Sequence, residues 1–378
     1  MTARSTTAAL PVPAAGSADA VHALLAAGSI ANARRVSYDL DTTLLPQAVD
    51  SPGIDKKTAR LLDALAAILV SRAQHEVIAI GAQVQHSNDL SDHSGKLQLV
   101  LAANAALPQT IQAYLEEAWK CMQLLAEHRQ QLRLPEAKDQ TTEILTVDSS
   151  VHGWLNLYRL FQKKLFVEIV DYPRMRVTLP TSKDAWATLI DTALNSAKPL
   201  KPIEPQVIQN TVVALSTRFS DKSVSCEIHC ECKILQRFTT TAYKIKPINY
   251  IGVSKLSCIG CAAVFDSYNE LQNSRGHRFY TRGAHGKWYF PWFLPKVGGG
   301  VKQIDFTNLV YTKLAGQYAQ YLKTVALSDS SALSEGSQEV SGTPEDFMYH
   351  RATILEFFGL NKTWKGWTAL MAKGGTRR

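Results

Sequence analysis

The chain has 378 residues, 46% of them apolar, and a formal net charge of +8. That composition excludes an intrinsically disordered protein and allows two or so domains, or one domain with a large insertion. The longest apolar run, Leu61 to Val70, is broken by Asp63 and is far too short to span a bilayer, so no membrane partner is expected.

The start of the chain shows no charged-then-apolar signal segment, so the six cysteines read as thiols or metal ligands rather than disulfides. The first eighteen residues lack acids, as a mitochondrial transit peptide does, but carry a single arginine, Arg4. A flexible N-terminal extension over 1–50, with one short helix around Ala20 to Ala27, is the simpler reading. It goes with an intracellular location, cytoplasmic or nuclear, with mitochondria as the lesser alternative. The positive charge permits an anionic partner such as a nucleotide, RNA or DNA without requiring one.

Lys56 to Arg72 reads as a helix, with Leu61, Leu62, Leu65, Ile68 and Leu69 at helical spacing. Two strand-like runs follow, Glu76 to Val84 and Lys96 to Ala103, and the turn-rich QHSNDLSDHSG between them predicts a hairpin. The block 107–205 then turns helical. Helices are predicted over Gln109–Gln130, Ser150–Phe166 and Lys183–Ser196, with a strand pair at Val167–Val177. After Pro205 the order is a helix from His229 to Phe238, a strand at Tyr250–Ser254, a helix from Cys258 to Leu271, a strand at Arg278–Arg282 and a helix from Phe306 to Val325. Helices alternating with strands predict an α/β sheet with crossover helices. Residues 326–345 read as a Ser/Gly-rich linker, with a C-terminal tail to 378.

Cys226, Cys230 and Cys232 crowd around His229 and Glu231, and Cys258 and Cys261 form C-x-x-C after a strand. Cysteines three apart in a first helical turn point the same way, and helix-end amides favour the thiolate a metal requires. They are half a zinc site, and His229 is the natural third ligand. Three protein ligands leave a fourth position open, the catalytic arrangement rather than the structural one. Zinc lowers the pKa of water there toward neutrality, and Glu231, not a ligand, can take and return protons. Two bland readings stand beside this one. Two of Cys226, Cys230 and Cys232 could join Cys258 and Cys261 in a structural four-cysteine site, or the cysteines could be small buried core residues without metal.

H-x-E at 229–231 followed by C-x-x-C at 258–261, on successive helices separated by one strand, resembles the zinc-dependent cytidine and nucleic-acid deaminase superfamily. SKLSCIGC (254–261) and RGAHGKWYFPWFLP (282–295) are most similar to a toxin-like branch of it known from fungi and intracellular bacteria. Ser257 stands where the commoner signature has a proline. The resemblance implies a three-layer α/β/α fold with a mixed, five-stranded sheet and a mostly helical insert. It divides the chain into a first part of the core at 51–106, an insert at 107–205, a zinc-binding core at 206–325, and a linker and tail at 326–378. It further implies hydrolytic deamination of a nucleobase in a nucleoside, nucleotide or nucleic acid, with Zn2+ on His229, Cys258 and Cys261 and Glu231 as proton shuttle.

Residues 271–304 hold six arginines and lysines, no acid, and many aromatics. Such a segment suits phosphates and base faces, although most of its aromatics are as well explained by the core. Asn104, His285 and Trp288 are the candidate substrate contacts. The rival to the enzyme is a non-catalytic, zinc-stabilised module that binds nucleic acid through this segment.

Overall fold

A computed structural model describes residues 12–33, 56–70, 76–85, 95–105, 107, 109–133, 161, 163–199, 202–220, 223–241, 245–272 and 276–328. These residues fold as a mixed α/β protein with eight helices, a four-stranded sheet and a two-stranded ribbon. The chain forms two compact units. No helix among the described residues is long and apolar enough to cross a membrane.

Numbered along the chain, the helices are α1 (Ala18–Ala33), α2 (Lys56–Ile68), α3 (Ile111–Arg133), α4 (Lys183–Ala197), α5 (Pro205–Arg218), α6 (Cys230–Thr240), α7 (Ile259–Leu271) and α8 (Gln303–Ser328). Of these, α2 and α3 belong to the sheet unit. There β1 (Ile78–Gln85) and β2 (Lys96–Ala103) pair antiparallel, from Ile78 opposite Ala103 to Gln85 opposite Lys96. β3 (Lys164–Ile169) runs parallel to β2, and the short β6 (Gly252–Val253) runs antiparallel to β1, giving the order β3-β2-β1-β6. Leu61, Leu62 and Leu65 of α2 are buried. A Cβ on Gly252 would run into the Leu62 backbone, so a side chain there would push helix and strand apart. Asp63, the residue that breaks the apolar run, is buried and accepts hydrogen bonds from the Tyr250 hydroxyl at 2.7 Å and the Val253 N–H at 2.9 Å. A buried carboxylate is tolerated because it is bonded this way.

Two expectations fail at β3. The helix expected over Ser150–Phe166 lies outside the described residues at 150–160 and 162, and at 164–166 the chain is strand. Leu165, Phe166, Val167 and Ile169 are good strand formers, and the open edge of β2 supplies the ladder that overrides a helical reading. The expected strand pair at Val167–Val177 is two strands that do not pair. β3 joins β2, whereas β4 (Met175–Thr178) pairs antiparallel with β5 (Ser223–Cys226) in the other unit. Pro173 lies between them and has no N–H to give to a ladder.

The second unit holds α1, the β4-β5 ribbon, and α4 to α8. Residues 20–30 are all buried, so the stretch of 18–33 is a core helix rather than part of a flexible extension. A largely apolar helix belongs in an interior, its buried Ser29 hydroxyl bonded to Ala26 O at 2.8 Å, and small alanines let it lie close to its neighbours. Gly28 meets the Trp288 ring, where a Cβ would overlap the indole. α8 packs against α1, α4 and α7. No regular strand forms at Arg278–Arg282. Instead Ser257 bridges to Ala284, with Ser257 N–H to Gly283 O at 2.9 Å and His285 N–H to Ser257 O at 3.1 Å. The fifth strand of the expected sheet is therefore absent among the described residues, and pairing falls a few residues later, on a glycine-flanked segment. The expected turn of the hairpin at 86–94 and the linker and tail beyond 328 lie outside the described residues.

Candidate metal centre

Two helix starts build the centre. His229 is the N-cap of α6, in extended conformation, and its carbonyl accepts the Lys233 N–H at 2.8 Å. Cys258 is the N-cap of α7, and its Sγ accepts the Cys261 N–H at 3.5 Å. The C-x-x-C spacing puts Cys261 one turn on, facing the same side.

The three side chains meet. Cys258 Sγ and Cys261 Sγ are 3.5 Å apart, and His229 Nδ1 lies 3.6 Å from the first and 3.4 Å from the second. Zinc bonds sulfur at about 2.3 Å and imidazole nitrogen at about 2.0–2.1 Å, so a tetrahedral site separates two sulfurs by about 3.8 Å and sulfur from nitrogen by about 3.5 Å. The observed edges match those of a zinc tetrahedron to a few tenths of an ångström. All three ligand atoms lie within 4.8 Å of one another, and the two cysteines are buried. Among the described residues no such group includes Cys226, Cys230 or Cys232, so the four-cysteine alternative is not assembled.

Burial pushes the Cys258 thiol well above its ordinary value, and the hydrogen bond and charge of Cys261 push it further, against the pull of His229. Burial likewise raises Cys261, helped by its contact with Cys232. For His229 burial works downward, but the charges of Cys258, Glu231 and Glu227 and the bond to Cys258 outweigh it and leave the pKa raised. Two buried thiols beside an imidazole cannot all shed protons without a compensating cation, and a divalent metal supplies that charge.

Glu231 sits in the first turn of α6, is 4% exposed, and lies outside the ligand group. Its Oε2 accepts the Cys230 thiol at 3.3 Å. Segment 282–295 closes over both helix starts. Lys287 O accepts the Ile259 N–H at 3.0 Å, and Glu227 O accepts the Phe293 N–H at 2.8 Å. Ser257, unlike the proline of the commoner signature, has an N–H, and it spends that donor on this segment.

Two side chains of the segment were not anticipated. Trp292 donates its indole N–H to Cys261 Sγ at 3.3 Å, a bond that favours the thiolate. Tyr289, 43% exposed, has its ring 6.3 Å from the His229 ring and 5.5 Å from the His285 ring. The aromatic run in GKWYFPWF was their only signal, and it does not tell inward rings from outward ones.

His285 is half-buried, and its Nδ1 accepts the Lys287 N–H at 3.1 Å, which leaves the proton of the neutral ring on Nε2. Burial first, then the Lys287 charge, pushes its pKa down to about 4, against the pull of Glu231. Trp288 is fully buried, edge-on to Tyr318 of α8 at 6.1 Å. Asn104 belongs to the sheet unit, half-buried at the end of β2, with its N–H bonded to Val77 O at 3.1 Å.

A family model described as OTT_1508_deam-like deaminase matches residues 228–296. The match begins one residue before His229 and ends just past the segment that covers the centre, so the deaminase resemblance is borne out over this stretch. Searches of curated proteins and of solved structures found no match.

Proposed function

We propose that this protein is a zinc-dependent hydrolytic deaminase acting on a nucleobase in a nucleoside, nucleotide or nucleic acid. The observation that carries the proposal is the His229–Cys258–Cys261 group at zinc-tetrahedron spacing, with a buried glutamate beside it that is not one of the ligands. When bound, zinc supplies Lewis-acid activation of water. His229, Cys258 and Cys261 would hold it.

The protein's own groups then have separate tasks. The Glu231 carboxylate accepts a proton from the attacking water and delivers one to the departing amino group, so that water and the ring C–NH2 become a ring C=O and ammonia. The His285 Nε2–H is a donor toward a substrate acceptor, and the neutral ring adds no charge. The exposed face of Tyr289 offers a base a surface to stack on. Lys287, Arg282 and Arg278 in the same segment suit a phosphate-bearing substrate, RNA or DNA included. Asn104 is proposed as a substrate contact on the resemblance alone. The order β2-β1-β6, with α6 before β6 and α7 after it in the chain, supports the deaminase-like layered reading.

The experiment pairs zinc analysis with ammonia release from a panel of bases, nucleosides, nucleotides and oligonucleotides. For the enzyme, Glu231→Gln loses turnover by a factor on the order of 10²–10⁴ while zinc stays at one per chain. A binding module would hold zinc and nucleic acid equally well with either residue. Wild-type protein that holds zinc and releases no ammonia from any of the panel would overturn the enzyme.

A further inference from the structure

We propose that the Cys230 thiol holds the Glu231 carboxylate in its working orientation, which makes Cys230 a positioning residue for proton transfer. The inference rests on the deaminase reading above for its consequence, but not for its geometry.

Cys230 is fully buried at the start of α6, and its sulfur is 3.3 Å from Glu231 Oε2. The bond runs from the thiol to the carboxylate, with Cys230 Sγ as donor and Glu231 Oε2 as acceptor.

Adjacent residues on a helix point about 100° apart and do not ordinarily face each other. For Glu231 to meet Cys230, its flexible chain must turn back to one side of the first turn. The bond therefore selects one arrangement among the several a glutamate can adopt. It occupies Oε2 and leaves Oε1 as the oxygen free for proton transfer. A cysteine suits this position because sulfur packs like a small apolar group in an interior and still carries a weak donor. An alanine would fill most of the space and offer no donor. A serine would keep a donor with a shorter reach. None of the metal ligands is altered by either change, since Cys230 lies outside the ligand group.

The test combines a spectroscopic and a kinetic measurement on the full chain. The S–H stretch of Cys230 is isolated by infrared difference between wild type and Cys230→Ala, both zinc-loaded. A band at low frequency in the wild type that rises in Glu231→Gln is the expected result, because a carboxamide accepts more weakly than a carboxylate. A band that does not move in Glu231→Gln overturns the proposal whatever the activity. In the kinetic arm, Cys230→Ala lowers kcat by roughly ten- to a hundredfold with KM and zinc content unchanged, and Cys230→Ser recovers most of that loss. An unchanged kcat in Cys230→Ala overturns it too. A wild type without activity but with the expected band shift would remove the deaminase reading and support the tether, so the two failures are distinguishable.

Discussion

The first turns of α6 and α7 begin alike and diverge within three residues. Each opens with a candidate ligand at the N-cap, His229 in one and Cys258 in the other. In α7 the turn goes on through apolar Ile259 and small Gly260 to a second ligand, Cys261. In α6 it goes on through Cys230, Glu231 and Cys232, all buried, and adds no further ligand. Three of the six cysteines lie around α6, yet both cysteines of the group that could hold a metal come from the start of α7. Abundance of thiols does not make a metal site. Direction does, and direction is set by where each helix begins.

The comparison is broken or sharpened first by removing one thiol from each turn. Cys258→Ala should lose essentially all zinc, whereas Cys232→Ala should keep one zinc per chain, both read by elemental analysis of purified protein. Equal loss in the two would mean that the α6 thiols are ligands after all. Next comes pH. Cys258, Cys261 and His229 all hold protons more tightly than usual, so metal must displace protons to bind. Affinity should therefore rise with pH, approaching about a hundredfold per pH unit while both thiols stay protonated. Zinc competition titrations across the neutral range read this, and a flat profile would show that the thiols are already ionised.

Smaller effects separate the helix turns from the segment that covers them. Trp292→Phe keeps an aromatic ring but removes the donor to Cys261, and zinc should bind about tenfold more weakly by the same titration. Tyr289→Leu touches no ligand. It should keep zinc and kcat and raise KM roughly fivefold on the best substrate found, and a change in zinc content instead would place the ring among the supports of His229.

The convergence of His229, Cys258 and Cys261 was legible because spacing carries it. C-x-x-C and H-x-E each sit within one helical turn, and the strand between them marks where each helix starts. The hairpin and α2 were legible for a similar reason, since their apolar periods are local. What escaped depends on distant partners. α1 looked like tail because alanine, serine and glycine are equally at home in a linker, and only Trp288 lying over Gly28 shows why the stretch must be small. Asp63 looked like a mere interruption until Tyr250 and Val253 supplied its bonds. The first half of β3 reads as the end of a helix and the second half as strand, because the pairing partner that makes it one strand lies about 70 residues earlier in β2. Trp288 and Tyr289 are neighbours in sequence with opposite fates, one in the core and one exposed, and composition alone assigns them the same character.

α1 also sets a timetable. His22 on that helix accepts the Leu294 N–H across 272 residues of chain and stacks on Phe293 at 4.9 Å, so α1 forms the backing of the segment that covers the centre. A ribosome adds about 5–20 residues per second, so the helix emerges roughly 15 to 50 s before its partner exists. Until Lys183–Ala197 and Pro205–Arg218, which also pack against it, have been made, this largely apolar helix has little to bury against. A helix made early thus waits for a contact made late, and the backing of the centre is complete only once residue 294 has left the exit tunnel.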